Sequence, residues 1–270
     1  PFGSVAHLGP HAMSVTDVAL MMNAITRPDA RDWTALPYEH VDYTARLKDG
    51  VKGLRIAYSP NLGYATNVHP EIAAATAQAA QYLQDLGAVI EQVDPGIEDP
   101  LDITTGLWFA GAYQVWRTLS KEQQALTDPD FAAQAAIGET LDANALHQLN
   151  QRRGLLGSHL RQFMQRFDLI LTPSTAVPAF KALPAGHSPM NSEAMLGWTP
   201  FSYPFNLSQQ PAISLPCGLT ADGLPMGVQL VGPMFADALV LRAAKALETC
   251  YVCLRPDLDA DRPIDSASHS

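Results

Sequence analysis

Three consecutive stretches decide the fold class: "VKGLRIAYSP" (residues 51–60), "HPEIAAATAQAAQYLQDLG" (69–87) and "AVIEQVDP" (88–95). The first holds an apolar run, Leu54 to Tyr58, stopped by Pro60, and reads as a buried strand. The second is Ala-rich, with Pro70 near its first turn and Gly87 at its end. A helix tolerates proline at its first position and favours glycine just past its last. The third stretch is again a strand. One crossover helix between two strands implies a right-handed βαβ unit in a mostly parallel sheet, hence an α/β protein.

Toward the N-terminus, Ser14-Val-Thr-Asp17 resembles a capping box, with Asp in place of the usual Glu or Gln. The helix it opens carries Val18, Leu20, Met21, Met22 and Ile25 and is expected to stop near Pro28. "PDARDWTALP" is then a polar, proline-bounded loop.

Toward the C-terminus, residues 99–167 read as a helical insertion. "DPLDITTGLWFAGAYQVWRTL" is apolar almost all round and is expected to be largely buried. A long helix at about 143–167 spaces Leu146, Leu149, Leu155, Leu156, Leu160, Phe163 and Phe167 at roughly helical intervals, with Arg152, Arg153, Arg161 and Arg166 assigned to its wetter face. "DLILTPS" is a strand ending at Pro173, followed by a loop with prolines at 178, 184 and 189. The apolar run Ala212–Leu215 lies between Pro211 and Pro216. Those prolines are expected to stop ladder pairing, as on an edge strand or a strand entering a site. A strand at 226–231 and a helix from Asp237 to about Cys250 close the fold. Residues 1–254 are thus expected to form part of one domain, with 255–270 a polar, frayed tail.

The composition narrows the function classes. Of 270 residues, 47% are hydrophobic and 16% charged, which suits a folded globular chain with a sizeable core. The formal net charge is −10, which repels phosphate backbones and speaks against nucleic acid as a partner. No apolar stretch reaches membrane-spanning length. Cys217, Cys250 and Cys253 cannot all pair within the chain, so free thiols and a cytoplasmic location are expected. Cys250-Tyr-Val-Cys253 has no second cysteine pair or nearby histidine to complete a zinc set. Neither a dinucleotide nor a P-loop glycine pattern occurs, nor H-E-x-x-H, nor the nucleophile elbow G-x-S-x-G. Gly9-Pro10 separates His7 from His11 and breaks any helix that would align them.

Several segments together resemble the amidase signature hydrolases. "AHLGPHAMSVTDVALMMNAI" is similar to that family's GPM-x-R-T-V-x-D block. "DLILTPS" is similar to its late strand ending in Thr-Pro, and "WTPFSYPFNLSQQPAISLPCG" followed by "GLPMGVQLVGPMFADALVLRAAKALE" to its C-terminal block. The resemblance implies a mixed, mostly parallel sheet covered by helices. It implies hydrolysis of carboxylic amide C–N bonds without metal or cofactor, by a serine, a second serine joined through a cis peptide, and a neutral lysine base. This chain contains no Gly-Gly and no Ser-Ser dipeptide, so the family's Gly-Ser-Ser-Gly core is not within it. Lys48-Asp49 follows the GPM-like block, where the family order places no catalytic residue, and reads as solvated surface. The expectation is a C-terminal part of an amidase, inactive alone, whose catalytic segment lies upstream of Pro1. An exposed sheet edge or apolar face inviting self-association or a homodimer is expected with it.

The substrate-pocket candidates are His7, Thr172, Trp198, Phe205, Asn206 and Gln209. His7 stands in a loop that the resemblance brings near the nucleophile. Thr172 ends a strand, and ligands gather outside strand ends in open α/β sheets. Trp198 and Phe205 belong to an aromatic cluster with Phe201 and Tyr203 suited to an apolar acyl or amine group. Asn206 and Gln209 carry amides that can orient an amide. Each has a structural alternative: a loop hydrogen bond for His7, a backbone-bonded hydroxyl for Thr172, core packing for the aromatics. Two other readings of the whole chain stand beside the amidase: a non-catalytic scaffold or binding subunit, and an amidotransferase-type family member, against which the acidic charge argues.

Overall fold

The computed structural model describes residues 3–37, 39–181 and 198–251. Five strands form one sheet: β1 (Arg55–Tyr58), β2 (Val89–Gln92), β3 (Leu169–Pro173), β4 (Ala212–Leu219) and β5 (Pro225–Val231), in the order β2-β1-β3-β5-β4. β1 pairs in parallel with both β2 and β3. β5 runs antiparallel to β3 and to β4. Four of the five strands therefore point one way, and β5 alone is reversed.

Helices are α1 (Val15–Ile25), α2 (Pro70–Asp85), α3 (Leu101–Trp116), α4 (Lys121–Ala125), α5 (Pro129–Glu139), α6 (Ala143–Phe163), α7 (Tyr203–Ser208) and α8 (Asp237–Glu248). The Ser14 side chain accepts from the Asp17 N–H and caps α1. Pro70 opens α2, and Gly87 follows its end at φ +94°, a conformation glycine adopts without strain. α2 links β1 to β2, as the strand–helix–strand pattern requires. α3 to α6 fill the interval between β2 and β3.

Alternation along the strands makes two cores. Ile56, Leu169, Leu171, Val228 and Leu230 face α1, α2 and α8, which contribute Val15, Ile72, Leu83, Val240 and Leu247. Ala57, Ile170 and Val231 face the other way, against Leu156, Leu160 and Phe163 of α6 and Phe205 and Leu207 of α7. A strand buried on both faces must be apolar throughout, and β3 is buried at every position.

Three local expectations are corrected. Pro216 does not end pairing: β4 continues to Leu219 through a register shift between Pro216 and Gly218. β4 is an edge strand, where a residue without an N–H forfeits no ladder bond on the open side. α6 stops at Phe163 rather than near 167, yet Phe167 still packs on Phe163 with ring centroids 5.1 Å apart. Arg153 is turned inward rather than placed on the wet face. Prolines 184 and 189, Cys253 and the 255–270 tail lie outside the described residues.

Candidate substrate-binding cleft

The segment from His7 to Ser14, α1, the loop after it, the end of α7, β4 and the start of α8 surround a cleft of about 1770 Å³. Val18, Met22 and Ile25 from α1, Ile213 and Leu215 from β4, and Val240 from α8 supply apolar lining, while Arg27, Asp29, Asp32, Glu39, Asp237 and Glu248 add charged groups. One end is polar, with His7, Asn206, Gln209, Ser214 and Gln229.

α7 builds that polar end. Phe201, Tyr203 and Phe205 are buried at 0%, 5% and 2% exposure, so this short segment is held by its aromatics rather than by helix length. Tyr203 donates to Asp99 Oδ1 at 2.6 Å and stacks on Tyr64, whose hydroxyl donates to the Pro200 carbonyl at 2.5 Å. Burial pushes both phenols well above their ordinary range, so both hydroxyls stay protonated. Gln209 ends α7 in the left-handed region at φ 61°.

Arg153 joins this unit to the N-terminal segment. Its Nε donates to the Leu207 carbonyl at 2.7 Å, and its two terminal nitrogens donate to Ser4 Oγ at 2.9 Å and the Ser4 carbonyl at 2.8 Å. Burial lowers the guanidinium pKa. His7 is thereby set beside α7, where its Nδ1 lies 3.0 Å from Asn206 Oδ1. An Nδ1–H tautomer of the ring donates to this carboxamide oxygen.

Four of the six residues singled out in the sequence, His7, Phe205, Asn206 and Gln209, meet along this cleft. Thr172 and Trp198 are not on its lining. Thr172 is fully buried, its hydroxyl donating to the Pro173 carbonyl at 2.8 Å and accepting from Gln229. Trp198 packs edge-on against Phe180 with centroids 5.9 Å apart. Lys48 is exposed on the surface. Sequence reasoning passed over Ser214 and Gln229. Their only signal was a single polar residue inside an otherwise apolar strand, in "AISL" and "MGVQLV".

Residues 2–241 match the Amidase family, and the chain belongs to it. An acylamidase of Rhodococcus erythropolis is 32% identical over 271 residues, covering 98% of this chain and 55% of that protein. A glutamyl-tRNA(Gln) amidotransferase chain of Moorella thermoacetica is 31% identical, covering 94% and 57%. Among solved structures, a bacterial aryl acylamidase of the amidase signature enzymes superposes with a TM-score of 0.80 at 27% identity, over 91% of this chain and 54% of the other. The corresponding glutamyl-tRNA(Gln) amidotransferase chain of Thermotoga maritima superposes at 0.71 and 27% identity, over 92% and 53%. The chain spans about half the length of these relatives.

Proposed function

We propose that these 270 residues form the substrate-holding wall and much of the sheet of an enzyme that hydrolyses carboxylic amide C–N bonds by acyl transfer through Ser, cis-Ser and Lys. The observation that carries this reading is the cleft: in a chain of the Amidase family, a wide trough with apolar walls on α1, β4 and α8 carries hydrogen-bonding groups at His7, Asn206 and Gln209. Such a trough takes the hydrocarbon part of a ligand, and its polar end fixes the amide. No residue of the chain sits in a Gly-Ser-Ser-Gly context. Bond breaking is therefore assigned to polypeptide outside residues 1–270, and the chain by itself is inactive. The amidotransferase-type reading draws on the glutamyl-tRNA(Gln) amidotransferase relatives, but a formal charge of −10 opposes docking of an RNA on this surface.

The test has two arms. The purified chain should release no ammonia from benzamide or propionamide above a mock-purified control; sustained turnover would place the catalytic groups within these residues. Benzamide added to isotope-labelled chain should shift methyl signals of Val18, Met22 and Ile213. Shifts confined instead to α3–α5 would move the site elsewhere.

A further inference from the structure

Among the described residues, three other than glycine hold a positive φ: Leu62 at 55°, Gln209 at 61° and Phe235 at 67°. An L side chain there crowds a carbonyl oxygen, and for a bulky residue the conformation is an outlier that something else must offset. Leu62 offsets it by burial: it is 0% exposed within the core on the α6 face of the sheet. Phe235 has no such compensation. It is 67% exposed and packs in neither core. Among the described residues its ring takes part in no aromatic pair and no cation–π contact.

The backbone at Phe235 is fixed by its neighbours. Gly232 donates to the Pro211 carbonyl at 2.9 Å and accepts from Gln210 Nε2 at 3.0 Å. A Cβ on Gly232 would meet Val240 Cγ2 at 2.6 Å, so the chain passes close to α8 here. Ala236 then donates to the Pro233 carbonyl at 3.0 Å and closes a four-residue turn. Its own carbonyl accepts from Leu239 and Val240 as α8 begins. Phe235 is the third residue of this turn, the position where a positive φ normally calls for glycine. With the turn pinned at both ends, the left-handed conformation belongs to the place rather than to the residue. Glycine would sit there without strain, yet the place holds an exposed aromatic that borders the cleft beside Ile213, Leu215 and Val240.

We infer that Phe235 is a specificity-determining residue of the cleft, whose ring offers its face to a flat aryl group of the ligand. The strained turn keeps the ring out of the core and within reach of that group. Two aromatic rings in offset-stacked or edge-to-face contact gain more than their buried area alone gives, and a saturated ring of the same size forgoes that gain. The inference rests on the proposed function, which puts the substrate in this cleft. It goes further by naming a residue that selects the hydrocarbon part of the ligand, not its amide.

Two probes with the same amide and different rings test it on the chain as it stands: benzamide and cyclohexanecarboxamide, followed through the cleft methyl signals. Benzamide should bind about fivefold more tightly, the ratio expected for one aromatic pair. Phe235→Gly should abolish that preference and also raise the urea midpoint, because glycine relieves the backbone strain. A ring that serves the fold would give the opposite change in stability. Phe235→Tyr, which keeps the ring face, should retain the preference. A destabilised Phe235→Gly, an undiminished preference in it, or loss of the preference in Phe235→Tyr overturns the inference and leaves the proposed function standing. So does a Phe235→Gly that changes only the sedimentation of the chain, which would assign the ring to contact between copies. If neither probe binds in the cleft, both the inference and the proposed function fall.

Discussion

Gln209 shows how a single position carries a cost that its neighbours absorb. Its left-handed backbone places the Cβ against a carbonyl oxygen, which costs an L-residue about 1–2 kcal/mol relative to a right-handed conformation. Glycine escapes that cost and loses part of the gain to chain entropy. Gln209→Gly should therefore raise stability by about 0.5–1 kcal/mol in urea titration. A loss of stability would mean that the Gln209 side chain makes a compensating contact.

Asp237 is a second residue-scale case. It opens α8, where the helix dipole favours a negative charge, yet burial outweighs this and raises its carboxyl pKa. The folded state thus holds this proton more tightly than the unfolded chain. Its contribution is most favourable below the ordinary carboxyl range and is lost as pH rises through that range to the folded value. Asp237→Asn should raise the melting temperature at pH 7 and leave it nearly unchanged at pH 3. A similar rise at both pH values would show that charge burial is not the cause.

Among the elements, α3 and α5 cross with their backbones in near contact. A Cβ at Gly138 would come within 2.0 Å of the Phe109 carbonyl oxygen, and neither helix can yield cheaply because the obstacle is backbone. Gly138→Ala should cost about 3 kcal/mol, at the upper end of overpacking penalties. Gly154, inside α6, faces open space. Gly154→Ala should be neutral or stabilise by up to about 1 kcal/mol, because alanine is the better helix former. Equal effects of the two substitutions, read by chemical denaturation, would refute the close crossing. α7 makes the opposite point: six residues without a side-chain cap are fixed by what they bury, so neither propensity nor capping announced them.

For the molecule as a whole, the open surface matters most. β4 leaves one edge unpaired, and Leu219 on it is 47% exposed. Around the cleft, Leu8, Met13, Ile25, Leu36 and Phe235 are exposed, and Trp33, in the loop after α1, is exposed almost completely. An unpaired strand beside an apolar surface promotes association. Sedimentation velocity should show concentration-dependent self-association, reduced by Leu219→Lys. A monodisperse monomer with a cooperative melt at all concentrations would argue against it.

The sequence by itself determined what short-range physics controls. The cap at Ser14, the Pro70–Gly87 limits of α2, the apolar runs of β1 and β3, and the amphipathic α8 follow from periodicity and from residues that start or stop helices. Four cleft residues were legible because they lie in segments that carry the family resemblance. Tertiary structure alone decided the rest. The reversed β5 sits between β3 and β4, bringing Gln229 beside Thr172 on one side and Ser214 on the other across wide sequence gaps. Arg153 turned inward because Ser4 and Leu207, 149 and 54 residues away, offered acceptors that no helical pattern records. Pro216 kept its place in the ladder because its strand lies at the sheet edge, and strand order is settled only when the whole sheet assembles.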